Sequence, residues 1–282
     1  MPELPEVESI RLQLERFLVG HIINDVVVNN PRILSGERES ILRRKVLSVR
    51  RYGKVLVIDL EGDTSIMAHV KMTGQFIYRG PHLLNPVPLS KKVTGGVPGP
   101  HTHIVFNLDQ GGVLYFNDFR QFGWIKIVPT EQVEHTGLVG KMGPEPFKDL
   151  TKEYFTLITS KTRRPIKVVL MDQEKLAGVG NIYANDALWL SKIAPTRPSS
   201  SLTVEEKNAL YEAIHSVLKE GMKYGGSSEN SFVTPDGTEG KYQRHTLVYG
   251  KQGNVCAHCN VNIIIKTMIG GRGTYSCPFC QI

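Results

Sequence analysis

The chain has 282 residues, 40% of them hydrophobic, which is enough to bury a core and to form two domains. Its 34 Lys and Arg outnumber its 27 Asp and Glu, and the resulting net charge of +7 favours a polyanionic partner. No apolar run approaches the roughly 18 residues that a membrane-spanning helix needs, and the acidic, proline-containing start lacks the pattern of a signal peptide. We therefore expect a globular protein of the cytosol or nucleus that does not enter a membrane.

Two stretches of the chain are strongly basic. Residues 38–54 contain seven Lys or Arg and one acid, and residues 241–282 contain five and no acid. Such runs are usually ordinary solvated surfaces, but two acid-poor stretches at opposite ends of a chain favour a surface that binds phosphate groups.

The hydrophobic pattern of the first half predicts one helix followed by a β-rich domain. Apolar residues recur at helical spacing after Pro5, which predicts an amphipathic helix from about Pro5 to Leu18. Alternating or β-branched stretches then predict seven strands, at residues 22–28, 46–52, 55–60, 65–70, 103–108, 112–116 and 124–128. Residues 80–101 are rich in proline and glycine and predict a long loop, to which we assign no chemistry.

The pattern changes after residues 130–147, where three glycines and two prolines indicate a domain boundary. The second half is mainly helical, with helices predicted at residues 154–159, 166–171, 182–190 and 204–223. A polar, glycine-bearing stretch follows at residues 225–240.

The first residues combine an amine and an acid. Removal of Met1, expected before a small residue, leaves Pro2 as a terminal secondary amine beside Glu3. A terminal amine titrates near ~7.7–8.0 and a lysine near ~10.4, so the terminus has far more free base at neutral pH. A secondary amine that condenses with a sugar aldehyde gives a charged iminium, which is an electron sink for elimination. The alternative is that the segment only starts a helix, which explains Pro5 and Glu6 but not Pro2-Glu3.

The four cysteines of the chain form two pairs, Cys256 with Cys259 and Cys277 with Cys280, separated by the 17 residues 260–276. Two such turns joined by a hairpin suit a tetrahedral thiolate site for one Zn²⁺. Because such a site has no open coordination position, the metal is expected to be structural. Disulfides are the alternative, and the missing signal peptide disfavours them.

Two glycine-rich turns are candidates for phosphate binding. Gly178-Val179-Gly180-Asn181 precedes a predicted helix, whose first backbone amides form a seat for an anion. Lys167 could reach the same backbone, and the alternative is a solvated helix lysine. At the apex of the cysteine hairpin, glycines flank Arg272, so backbone and guanidinium can both approach a phosphate. Each turn alone is also common for purely structural reasons.

These motifs occur together and in order, and the chain closely resembles the bacterial formamidopyrimidine-DNA glycosylase family over nearly its whole length. The resemblance implies an α+β multidomain fold, with an N-terminal helix plus β-sandwich, then a helical domain (helix, two turns, helix) with a C-terminal zinc-ribbon hairpin. It implies a bifunctional DNA glycosylase and abasic-site lyase of base excision repair, which removes oxidised purines such as 8-oxoguanine and formamidopyrimidines from double-stranded DNA. We expect a monomer in the bacterial cytoplasm, associated with the nucleoid.

The resemblance also implies roles for individual residues. Pro2 matches the nucleophile that attacks deoxyribose C1′, Glu3 the acid that helps to open the sugar ring, and Glu6 a supporting carboxylate. The positions that contact phosphates near the lesion or grip the DNA backbone are matched by Lys54, His69, Lys167, Asn181, Tyr242 and Arg272, of which Lys54 and Arg272 count with the catalytic residues. Met72, Arg120 and Phe122 match the three residues that fill the gap left by an extruded base. From strand alternation alone, which puts Val70 and Met72 on one face, a core position is the simpler interpretation of Met72.

The domains implied are residues 1–130 as the catalytic β-sandwich, 131–147 as a linker, 148–224 as the helical DNA-binding domain, 225–250 as the lesion-recognition loop and its connection, and 251–282 as the zinc finger. Within them, residues 225–240 match the loop that closes over the damaged base.

The sequence departs from the family pattern near the gap-filling residues. Lys71 stands where the family commonly has glycine, and Gln121 where it commonly has arginine, so lesion range and opposite-base preference are not carried over. An endonuclease VIII-like enzyme for oxidised pyrimidines is one alternative, disfavoured by Leu4, where that branch usually has glycine. The other is a non-catalytic zinc-ribbon DNA-binding protein, which gives no role to Pro2.

Overall fold

The computed structural model describes residues 1–83 and 88–282, so four positions of the predicted loop at 80–101 lie outside the described residues. The chain divides into two compact units. Unit 1 comprises residues 1–140 and 222–243, and unit 2 comprises residues 141–221 and 244–282.

The described residues form five α-helices and eleven strands. The helices are α1 (Leu4–Leu18), α2 (Lys152–Ser160), α3 (Ile166–Leu170), α4 (Asn181–Leu190) and α5 (Val204–Lys223). The first six strands are β1 (Ile23–Val28), β2 (Leu34–Ser35), β3 (Val46–Tyr52), β4 (Val55–Leu60), β5 (Thr64–His69) and β6 (Gly74–Arg79). The other strands are β7 (Thr102–Leu108), β8 (Val113–Asp118), β9 (Trp124–Pro129), β10 (Ile265–Ile269) and β11 (Arg272–Ser276).

Unit 1 is built on two sheets, with strand orders β1-β7-β8-β6 and β2-β9-β5-β4-β3. Apolar side chains of α1 and of both sheets share one buried core, as Leu14, Val49 and Phe116 illustrate. The predicted helix, the seven predicted strands and the α+β class are therefore confirmed. Strands β2 and β6 were not predicted. Strand β6 is buried at five successive positions, so it lacks the alternation by which half-buried strands are recognised.

Unit 2 contains the β10-β11 hairpin and the four helices predicted for the second half, except for the last two residues of α5, which belong to unit 1. Within the part of the chain that the structure describes, every helix is too short or too polar to span a bilayer.

Helix α4 connects the helical part of unit 2 to its C-terminal segment. The carboxylate of Asp186, which is fully buried, accepts hydrogen bonds from the backbone N–H groups of Leu247, Val248 and Tyr249 at 2.9–3.0 Å. One residue earlier, Asn185 Oδ1 accepts the N–H of Tyr275 in β11 at 2.8 Å. Because buried N–H groups need acceptors, these two side chains fix the C-terminal segment on α4.

We expect Asp186→Ala to lower the free energy of unfolding by about 3 kcal/mol, because three N–H groups lose their acceptor in a buried place. Asp186→Asn, which keeps one acceptor oxygen, should lose less. Urea unfolding followed by circular dichroism measures the difference. Glu212→Gln, at an exposed ion pair with Lys152, is the control and should barely move the midpoint. Equal midpoints for Asp186→Ala and the control would contradict the role of this carboxylate.

Candidate active site

The start of helix α1 places the predicted amine and acids in a buried setting. Pro2 is buried, and Glu3 and Glu6 are only 3% and 1% exposed. Glu3 is the N-cap residue of α1 and forms a capping box with Glu6, whose Oε2 accepts the Glu3 N–H at 2.7 Å. Met1 precedes Pro2 and is 44% exposed. Because the Pro2 nitrogen is bonded to the Met1 carbonyl, it is an amide, and only removal of Met1 makes it an amine.

The other oxygen of Glu6 bonds to a segment far away in the sequence. Glu6 Oε1 accepts the N–H of Ser227 at 2.7 Å. Gly226 has a φ of +82°, and a Cβ there would lie 2.8 Å from Glu6 Cγ, so both the conformation and the close approach require glycine. The carbonyl of Gly226 accepts the N–H of Tyr242, which is also buried. Glu6 thus joins the start of α1 to residues 226–227, a contact that the sequence did not reveal.

The side chain of His69, at the end of β5, is buried and neutral. Its Nδ1 accepts the backbone N–H of Lys71 at 2.9 Å, so the ring proton belongs on Nε2. Burial, together with the positive charges of Lys71 and Lys54, lowers the pKa of His69 to about 3. Lys54 itself is buried, next to Gly53 in the turn between β3 and β4. The positive charges of both lysines therefore disfavour protonation of His69.

Met72, Arg120 and Phe122 come together on the surface of unit 1. Arg120 Nη1 lies 3.4 Å from Met72 Sδ, and its guanidinium carbon lies 4.7 Å from the centre of the Phe122 ring. Met72 is 41% and Phe122 55% exposed. Strand β5 ends at His69 and the chain turns at Lys71, whose φ is +49°, so Met72 does not continue the strand pattern. The core alternative for Met72 is therefore wrong.

A buried carboxylate fixes the loop that carries Arg120 and Phe122. Asp118 Oδ2 accepts the N–H of Gly123 at 2.7 Å, and Oδ1 accepts the N–H of Arg120 at 3.2 Å. The hydroxyl of Thr73 donates to the same carboxylate. Asp118 thereby links this loop to the turn that follows Met72, which sequence reasoning had not assigned.

In unit 2, two of the candidate phosphate-binding side chains hold the apex of the β10-β11 hairpin. Lys167 is fully buried, and its ammonium donates to the Gly273 carbonyl at 3.0 Å and to Thr274 Oγ1 at 2.6 Å. Asn181, the first residue of α4, donates from Nδ2 to the same Gly273 carbonyl at 3.1 Å. Arg272 is exposed at the start of β11. The interpretation of Lys167 as a solvated helix lysine is wrong.

The four cysteine Sγ atoms lie within 4.8 Å of one another and can hold a metal ion. The cysteines are free thiols, and Cys256–Cys280 and Cys259–Cys277 are separated by 3.8 and 3.9 Å, so the disulfide alternative is wrong. A tetrahedron with metal–sulfur bonds of about 2.3 Å has edges of about 3.8 Å. Desolvation and the neighbouring sulfurs raise the pKa of Cys280 to about 12, so a cation is needed before all four cysteines can be thiolates.

Comparison with known proteins identifies the class to which this fold and these sites belong. Residues 1–125 match the model of the formamidopyrimidine-DNA glycosylase N-terminal domain, and residues 142–233 match that of the formamidopyrimidine-DNA glycosylase H2TH domain. The formamidopyrimidine-DNA glycosylase of Bacillus cereus is 37% identical over 288 residues, covering 100% of this chain and 99% of that protein. The chain belongs to the formamidopyrimidine-DNA glycosylase family.

Solved structures agree with this assignment. The MutM (Fpg) protein of Thermus thermophilus is 36% identical with a TM-score of 0.86, covering 99% of this chain and 98% of that one. The Lactococcus lactis Fpg, solved in complex with DNA containing an abasic site, is 32% identical with a TM-score of 0.86 and covers 99% of both chains.

The depressed pKa of His69 makes a prediction about stability. The unfolded chain binds a proton at His69 below about pH 6.5 and the folded chain only near 3, so this group stabilises the fold above pH 6.5 and its contribution falls between those values. The expected loss is roughly 1.4 kcal/mol for each pH unit within that window. His69→Gln should therefore lose less stability than the native chain between pH 6.5 and 4.5, as measured by urea unfolding. Identical pH slopes for the two proteins would contradict the buried neutral ring.

Proposed function

We propose that this chain is a bifunctional DNA glycosylase and abasic-site lyase of base excision repair that removes oxidised purines from double-stranded DNA. The observation that carries the proposal is the buried Pro2-Glu3 pair at the start of α1, in a chain that matches its family over the full length. The capping box fixes the backbone of Glu3, whose N–H belongs to the peptide bond with Pro2, and so restricts the position of a Pro2 amine freed of Met1.

The proposed chemistry begins with attack of the Pro2 nitrogen on deoxyribose C1′, which breaks the bond to the damaged base, and the proton that the amine loses goes to the departing base. Glu3 gives a proton to the sugar ring oxygen as the ring opens, and the nitrogen and C1′ become an iminium. The iminium acidifies the C2′ proton, and successive β- and δ-elimination release the 3′ and 5′ phosphates. Hydrolysis then frees Pro2. Glu6 supports this centre, because its two oxygens accept N–H groups of Glu3 and Ser227.

Extrusion of the base leaves a gap that Met72, Arg120 and Phe122 are proposed to fill. Insertion of side chains between base steps needs exposed apolar groups, and a donor for the orphaned base is also required. Met72 and Phe122 are exposed and flank the Arg120 guanidinium. Their arrangement before DNA binds supports a preformed wedge.

The phosphate contacts are proposed to come from both units. In unit 1, His69 offers an Nε2–H donor that stays neutral above about pH 3, and Lys54 brings a positive charge. In unit 2, Asn181 and Arg272 are proposed to grip the DNA backbone, and Lys167 takes part by holding the hairpin apex. Tyr242, beside Gly226, is proposed to support the segment at residues 225–240, which closes over the base.

The metal at the four cysteines is proposed to be one structural Zn²⁺. The four thiolates would fill all of its coordination positions, so its contribution is to fix the hairpin that carries Arg272. We also propose that the protein is a monomer with the domain division predicted from the sequence. We propose that it is located in the cytoplasm, at the nucleoid.

Covalent trapping tests the nucleophile. Borohydride reduces an iminium to a stable amine, so the protein incubated with 8-oxoguanine or abasic-site DNA should give a cross-link that maps to Pro2. A variant with Gly inserted before Pro2 should give less than about 1% of that cross-link, because the nitrogen becomes an amide. Intact duplex is the substrate control.

The outcome also separates the alternatives. Faster release of oxidised pyrimidines than of 8-oxoguanine would favour the endonuclease VIII-like enzyme. Equal binding of damaged and intact duplex without any cross-link would favour the non-catalytic DNA-binding protein and overturn the proposal.

Metal analysis tests the zinc site. The purified protein should contain one equivalent of Zn²⁺, and Cys277→Ser should lose the metal together with most DNA binding, because the hairpin that carries Arg272 loses its support. Arg272→Ala is the matched control, since it should weaken DNA binding while retaining zinc. Normal DNA binding by metal-free protein would contradict the assignment.

A further inference from the structure

Residues 88–93 and residues 225–240, here called the strap and the capping segment, are joined by several hydrogen bonds within unit 1. The backbone N–H of Ser90 donates to the Gly237 carbonyl at 2.9 Å, and its hydroxyl donates to Glu239 at 2.5 Å. The ammonium of Lys92 pairs with the Glu239 carboxylate at 2.8 Å and donates to the Ser228 carbonyl. The strap therefore contacts both ends of the capping segment.

Gln75 of strand β6 ties the strap and the capping segment to the sheet. Its buried amide nitrogen donates to the carbonyl of Lys92 at 2.9 Å and to that of Ser231 at 2.6 Å, which uses both of its N–H groups. The hydroxyl of Ser231 in turn donates to the carbonyl of Met72 at 2.8 Å. Gln75 thus holds the strap and the capping segment, and Ser231 links that segment to the turn that bears Met72.

Apolar packing closes the same contact. Ile77 of β6, Val93 of the strap and Val233 of the capping segment form a small buried cluster. Gly237 has a φ of +89°, and a Cβ there would collide with Leu89 Cδ2, so the two segments approach as closely as glycine allows. An ordinary surface loop needs no such fit.

We propose that the strap, through Lys92 and together with Gln75 of β6, is a positioning device that holds the capping segment ordered before DNA binds. The inference rests on the proposed function, because it concerns the segment that closes over the damaged base. Ordering a free loop opposes capping through lost backbone entropy. A segment held in place by the strap avoids that loss, whereas a released one is competent only for the fraction of time in which it is ordered.

The test compares two substrates of the full-length protein. Gln75→Leu keeps the buried volume and removes both donors. It should slow excision of 8-oxoguanine about tenfold in single-turnover assays, while cleavage at a preformed abasic site stays within about twofold, because no base remains to be capped. Backbone amides of the capping segment should also exchange with deuterium about tenfold faster in the DNA-free variant.

A second variant guards against a folding defect in the first. Lys92→Met changes a partly exposed side chain and should shift both measurements in the same direction, and Lys92→Arg should restore them by keeping the ion pair. Lys152→Met, at the exposed pair with Glu212 in unit 2, is the control and should change neither.

Equal slowing on both substrates would overturn the proposal, as would unchanged amide exchange in both variants of an active protein. If the native protein acted on neither substrate, the glycosylase function itself would fail first, and the exchange measurement would still show whether the strap orders the segment.

Discussion

The organisation of unit 1 depends on one buried carboxylate. Glu6 accepts one N–H from Glu3 at the start of α1 and another from Ser227, a residue 221 positions further along the chain. A buried carboxylate without hydrogen-bond donors is strongly disfavoured, so the loss of either bond is expected to change the local structure around Glu6. The same side chain therefore bonds to the residue after the candidate nucleophile and to the segment that is proposed to close over the base. Gly226 is part of this constraint, because no larger residue fits against Glu6.

Much of the fold could be predicted from the sequence, because periodicity reports directly on burial. Helix α1 and the seven predicted strands each show one buried and one exposed face or a bounded apolar run. Strand β6 could not be recognised, since it is buried at successive positions and begins with a glycine and a glutamine. This glutamine is Gln75, whose side-chain amide bonds to both the strap and the capping segment.

The candidate site also contains features that the sequence could predict and features that it could not. The cysteine spacing predicted the four-cysteine cluster, because metal geometry fixes local spacing, and the sulfurs do converge. The state of His69 could not be predicted, since it depends on burial and on the charges of Lys71 and Lys54, one of which comes from another strand pair. The burial of Lys167 was likewise invisible, because its partners lie at Gly273 and Thr274, more than a hundred residues later. Contacts between distant segments are what sequence patterns fail to report.

Two asparagines of helix α4 attach strand β11 to this helix and so fix the distance between two candidate phosphate-binding positions of unit 2. Asn181 at its first turn and Asn185 one turn later both bond to β11, at Gly273 and Tyr275. The glycine-rich turn and the backbone of β11 at Arg272 are therefore both attached to helix α4, so their separation is fixed. If this turn and Arg272 bind the DNA backbone as proposed, their fixed spacing selects the curvature of that backbone and not its base sequence.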